Sequence, residues 1–135
     1  LAERELDRNP GPVLINMGGF HAQLSHVMGT PKVWVGEYLR RSSPQAKGSV
    51  ASVYVAVARR YKGDQVAFDV KNQAVAGELF ALIQSRAPSA NVYLPLQHDV
   101  FGRQRVPVNY GGQVVSHTPQ AQFDAYVLLS EGHQK

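Results

Sequence analysis

Val50-Ala51-Ser52-Val53-Tyr54-Val55-Ala56-Val57 is the stretch on which the fold turns. Val53, Val55 and Val57 alternate with Ser52, Tyr54 and Ala56, the period-two pattern of a strand. The small residues between the valines would let helices pack on the second face, so the strand reads as central. Downstream, residues 59–64 leave the sheet and residues 65–70 form a brief extended segment. Residues 73–86 then read as a helix, with Val75, Leu79, Leu82 and Ile83 in one apolar stripe. Ala87-Pro88 ends it. Residues 91–96 are a third strand, residues 98–112 a long polar loop of the kind that often carries function. Val114-Val115 and residues 123–129 are the last extended elements, and residues 131–135 a tail.

Upstream of the central strand, residues 41–48 are a polar connection and residues 33–41 a helix with Val35, Tyr38 and Leu39 on one side. Residues 20–28 are a loop or a short helix. Residues 13–17, Val-Leu-Ile-Asn-Met, form a short strand of the buried type, because the apolar residues are consecutive. Gly18-Gly19 then allows a sharp turn, and His21 follows. Residues 1–8 read as the last turns of an amphipathic helix, stopped by Asn9-Pro10-Gly11-Pro12. Helices and strands thus alternate, which predicts an α/β layered domain with a mostly parallel central sheet flanked by helices. The expectation is a single α/β domain over residues 1–135, itself the C-terminal part of a larger domain.

Composition narrows the function classes. With 135 residues, 44% hydrophobic and 18% charged, the chain has the size and make-up of one globular domain rather than a disordered segment. It holds no cysteine, which excludes disulfides, thiolate zinc sites and a thiol nucleophile. That suits a bacterial cytoplasm and equally a protein secreted without disulfides. No apolar run approaches the ~18–20 residues that span a bilayer. The net charge is +4, yet the basic residues are scattered, with doublets only at Arg40-Arg41 and Arg59-Arg60. A nucleic-acid surface concentrates its cations in a stripe with interleaved aromatics, so no nucleic acid is expected as partner.

His21 is the first candidate for chemistry. It follows an apolar strand and two glycines, which let a ligand approach the backbone closely, and histidine is the residue type best suited to proton transfer near neutral pH. Gly18 and Gly19 are the accompanying binding candidates. His26, five residues on, does not share a helix face with His21, which argues against a two-histidine metal site. His98-Asp99 and His117 lie where chain folding could bring them to the strand ends. His133 lies in the tail. Arg59 and Arg60 directly follow the central strand, and Arg59 is the candidate to reach an anionic ligand. Glu37 and Glu78 fall on helices and most simply face water or pair with cations. No Gly-x-Ser-x-Gly elbow, phosphate-cradling loop or dinucleotide fingerprint occurs.

Several of these pieces together resemble the C-terminal half of an erythromycin-esterase/ChaN-like domain, a superfamily that also takes in TIKI-type metalloproteases and domains of bacterial toxins and plant-pathogen effectors. The matching stretches are the Leu1-Ala-Glu-Arg4 helix end, Val13-Leu-Ile-Asn-Met-Gly-Gly-Phe-His21, Val35-Gly-Glu-Tyr-Leu39, residues 50–57, and the closing Phe123-Asp-Ala-Tyr-Val127. The resemblance implies a hydrolase-type domain, in some members a secreted effector or toxin, acting on a small molecule or a host protein. It makes His21 this half's contribution to a shared cleft, as general base or orienting donor, with Arg59 and His117 near the substrate. Two departures stand out. A His-Asn pair ahead of the histidine is replaced here by Gly18-Gly19, and the family's Gly-Glu-x-His motif is absent, since neither Gly36-Glu37 nor Gly77-Glu78 continues it. On this reading no cofactor is called for. The alternative is a non-catalytic module for haem or another small ligand, with His21 as axial ligand and Phe20, Tyr61 and Tyr110 as apolar walls.

Overall fold

The computed structural model describes residues 4, 7–8, 11–25, 33–62, 65–69, 77–97, 100–110 and 113–133, with residues 60–62, 65–69, 109–110 and 131–133 described as backbone only. In chain order the elements are α1 (Val35–Arg41), β1 (Val53–Lys62), β2 (Gln65–Asp69), α2 (Gly77–Arg86), β3 (Val92–Pro95), α3 (Val100–Arg103), β4 (Val106–Tyr110), β5 (Gln113–His117), α4 (Pro119–Gln122) and β6 (Ala125–His133). Four strands form one sheet in the order β2-β1-β6-β3, and β4 and β5 form a separate two-stranded ribbon.

The sheet is mixed, which corrects the expected mostly parallel, helix-flanked architecture. Only β1 and β6 run parallel, with Val53 beside Ala125 and Tyr54 beside Tyr126. β1 pairs with β2 antiparallel, ending at Lys62 beside Gln65, and β3 pairs antiparallel with β6. The physical reason lies in the connections. A parallel crossover needs a dozen or more residues, whereas β1 and β2 are separated by residues 63–64 alone, and so short a link makes a hairpin. Helices are also short: α1, α3 and α4 span 7, 4 and 4 residues. They cannot cover both faces of a sheet.

One face of β1 is buried, and it is the opposite of a simple hydrophobicity ranking. Ala56 and Ala58 are fully buried, while Val53 and Val55 are 43% and 53% exposed. The core is aromatic: Phe80 from α2, Phe123, and Tyr126 from β6 pack around Tyr54. Phe80 and Tyr126 meet edge to face at 5.6 Å, and Phe123 and Tyr126 at 5.8 Å, an arrangement that aromatic quadrupoles favour. Rings of this size need small neighbours on the strand beneath them, which is the role of the two alanines. The same alternation continues on β3, where Val92 and Leu94 join the core and Tyr93 is 65% exposed.

Other expectations shift as well. Residues 13–17 form no strand: Val13, Leu14 and Ile15 are 36%, 96% and 37% exposed. Residues 98–112 are not one loop, since α3 and β4 fall inside them. Gly102 of α3 lies so close to the Leu96 carbonyl that any side chain there would overlap it. β6 runs on through His133 and takes up most of the predicted tail. The α2 helix is described from Gly77, and the predicted start at residues 73–76 lies outside the described residues. No helix among the described residues is long and apolar enough to cross a membrane.

Candidate functional site

His21 sits on a turn that the rest of the fold holds from three sides. Its own amide donates to the Gly18 carbonyl at 2.9 Å, as does that of Ala22 at 3.3 Å, which closes the turn. The His21 carbonyl in turn accepts from the Gly36 amide at 2.9 Å, at the start of α1. Ser52, just before β1, donates its hydroxyl to the Ala22 carbonyl at 2.6 Å. Further on, the Leu24 amide donates to Gln122 of α4, and the Ser25 hydroxyl donates to the Ala121 carbonyl at 3.0 Å. Phe20 and Ala22 point into the core periphery, and Gln23 and Leu24 are buried. His21 alone of this run is exposed. Its ring meets Trp34 edge-on at 5.4 Å.

Two glycines make this packing possible, and neither does so through an unusual dihedral. Gly48 is the positive-φ glycine of the described residues, so Gly18 and Gly19 do not act as the left-handed hinge that the sequence suggested. Gly19 is needed for close approach, since a Cβ there would stand 2.6 Å from the Tyr54 ring. Gly36 is tighter: a Cβ would overlap the Ala22 carbonyl oxygen and lie 2.8 Å from that of Gln23. These are backbone atoms, which cannot swing away. Helix propensity alone would make Gly36→Ala stabilising by about 1 kcal/mol. The overlap reverses the sign, and chemical denaturation is expected to show a loss of about 1–3 kcal/mol. Proton–deuterium exchange should quicken across residues 18–25 in the same variant.

Beside the turn lies a polar knot that the sequence reading missed. The Asp124 carboxylate accepts from Arg40 Nη2 with both oxygens at 2.9 Å and from the Ser52 amide at 2.7 Å. Arg40 also donates to the Val50 carbonyl, at 2.7 Å from Nη2. The Asp124 backbone adds bonds to Ser52 and Leu96. One residue, through its carboxylate and its backbone, thereby ties α1, the entry to β1, the entry to β6 and the end of β3. The signal was present in Phe123-Asp-Ala125, whose Phe123 and Ala125 are buried on either side of that carboxylate. The second member of the basic doublet, Arg41, pairs with the buried Glu37 at 2.9 Å. Glu37 therefore lies against a cation rather than in water.

The other predicted residues are not gathered at His21. Arg59 is five residues beyond Tyr54, about 16 Å along an extended strand. It borders an open depression of about 440 Å³ with Ala81, Gln84, Ser85 and Ser130, beside the second half of α2. In register it stands between Asp69 of β2 and Glu131 of β6. His117 ends β5 opposite Val106 and is buried, with 5% of its surface accessible. Neither ring nitrogen has a hydrogen-bond partner among the described residues. Burial alone pushes its pKa down to about 4, so it is neutral at pH 7. It reaches the His21 loop only through Thr118 and α4, whose residues 121 and 122 hold Leu24 and Ser25. His26 and His98-Asp99 lie outside the described residues, as do the side chains of Arg60, Tyr61, Tyr110 and His133.

The site that results is an exposed imidazole on a rigid turn, flanked by an indole edge. Among the described residues no carboxylate bonds the His21 ring, and no three His, Asp or Glu side chains come together in a way that could hold a metal ion. What it can do alone is accept or donate one proton at a fixed place. No family model, curated protein or solved structure matches this chain.

Proposed function

We propose that this chain is the C-terminal portion of an erythromycin-esterase/ChaN-like hydrolase-type domain, in which His21 acts as general base or orienting donor. The observation that supports it is the placement of His21. It is the exposed residue of a run whose neighbours are buried or bonded on both sides. A catalytic base needs to be held still and reachable, and this backbone provides both. That no carboxylate bonds His21 among the described residues fits a site completed by other groups of a larger domain. The substrate on this reading is a small molecule or a host protein rather than nucleic acid. Consistent with that, Arg40 and Arg41 spend their charge on Asp124 and Glu37 instead of forming a basic surface.

The test is hydrolysis of a panel of p-nitrophenyl esters and of peptides by the longest available form of the protein, compared with His21→Ala and His21→Gln. General-base participation predicts a fall in turnover of at least about 100-fold in both variants, with KM little changed. Because His21 is exposed, both variants should keep the parent melting temperature. Full activity in His21→Ala removes this role.

A further inference from the structure

His21 and Trp34 are both held to one helix, and at both of its ends. At the start of α1 the Gly36 amide donates to the His21 carbonyl at 2.9 Å. Trp34, the residue before the helix, meets the imidazole edge-on at 5.4 Å. The end of α1 reaches the same turn by a longer route. Arg40 donates to both oxygens of Asp124 at 2.9 Å and to the Val50 carbonyl at 2.7 Å. Asp124 then grips Ser52 from both sides: its carboxylate accepts from the Ser52 amide at 2.7 Å, and its own amide donates to the Ser52 carbonyl at 2.8 Å. Ser52 in turn donates its hydroxyl to the Ala22 carbonyl at 2.6 Å, near the short end of the O–H···O range. The circuit closes there, one residue from His21.

We propose that Ser52 is the positioning residue for His21: its hydroxyl, set by the Arg40–Asp124 pair, holds the turn so that the imidazole stays in place against the edge of Trp34. The bonds to the carbonyls of His21 and Ala22 fix two successive peptide planes, and either bond alone leaves the neighbouring plane free to turn about Ala22. Charge-assisted bonds are the strong members of such a chain, so Arg40 and Asp124 keep the Ser52 backbone from drifting. Ser52 is 6% exposed, so bulk water does not stand ready to replace its hydroxyl at the Ala22 carbonyl. An exposed ring takes its direction from the backbone that carries it, and precise placement of a reacting group depends on such supporting bonds. The consequence for turnover rests on His21 being the general base, whereas the placement of the ring does not.

Ser52→Ala removes the hydroxyl and Ser52→Thr restores it. The chain has a single tryptophan, so nuclear Overhauser contacts between its ring and that of His21 report the placement without any substrate. The contact should be lost in Ser52→Ala and kept in Ser52→Thr. On the ester and peptide panel, Ser52→Ala should lower kcat at least about tenfold with KM within about twofold of the parent, and Ser52→Thr should recover it. Leu94→Ala loosens the core from β3 without touching this circuit. It should lower the melting temperature yet leave the ring contact and kcat as in the parent. A ring contact that survives in Ser52→Ala overturns the proposal, as does its loss in Leu94→Ala or in Ser52→Thr. Where hydrolysis depends on His21, full turnover in Ser52→Ala overturns it too. Unchanged hydrolysis in His21→Ala removes the general-base reading alone, and the ring contact then decides whether Ser52 places His21.

Discussion

Replacing Tyr126 with alanine is expected to cost about 3–5 kcal/mol, enough to unfold most small domains of marginal stability. Tyr126 is fully buried near the start of β6, the strand between β1 and β3, and touches Tyr54, Phe80, Phe101 and Phe123. Its removal leaves a cavity that rigid neighbouring rings cannot fill by small rotations. In thermal unfolding the midpoint should drop by roughly 10–15 °C, or the cooperative transition should vanish. Val55→Ser supplies the contrast. It removes a β-branched apolar residue from the strand next door, yet Val55 is 53% exposed, so the change should stay within about 0.5 kcal/mol. A larger loss for Val55→Ser than for Tyr126→Ala would mean that the buried face of the sheet has been assigned the wrong way round.

Acid should weaken the fold through His117. Its pKa is lowered from 6.5 to about 4 by burial, so the unfolded chain takes up the proton more readily than the folded one. Stability from this residue is therefore complete above about pH 7 and is lost progressively as pH falls through 6.5 toward 4. The full loss amounts to about 3 kcal/mol at the lower limit. Urea unfolding at pH 7.5, 6, 5 and 4 measures it, and His117→Leu should flatten that part of the profile. The same variant should equal or exceed the parent at pH 7, because leucine has no buried ring nitrogens to leave unpaired. An unchanged acid limb in His117→Leu would show that other groups govern it.

How much of this was legible in the sequence differs from element to element. The strand at 53–57 was clear because period-two alternation is a local property. Its facing was not, because alternation marks two faces without saying which one meets the core. That choice was made by Phe80, Phe123 and Tyr126, residues 23 or more positions away. Strand direction was equally hidden: residues 59–64 read as an exit from the sheet, whereas residues 59–62 continue β1 and pair antiparallel with β2. His21 stands out in the sequence because it follows an apolar run and two glycines, and the structure puts it on an exposed turn. The reason given for those glycines was different from the one observed at Gly19, which is contact with Tyr54 rather than backbone freedom. Arg59 is a candidate because it follows the central strand, and His117 because chain folding could bring its loop to the strand ends. The fold instead sets Arg59 some 16 Å along β1 and buries His117 at the end of β5.

The position of β6 in the sheet also fixes when the protein can become a protein. β1 pairs with a strand that begins 72 residues later, at Val53 and Ala125, and β3 reaches the sheet only through that same strand. Until β6 has left the ribosome, the β1–β2 hairpin and β3 have nothing to join them. Everything from β1 to β6 must be synthesised before the centre of the sheet exists, and loops this long close slowly. During that interval the apolar strands stand open, which makes this a fold that depends on the prompt arrival of β6.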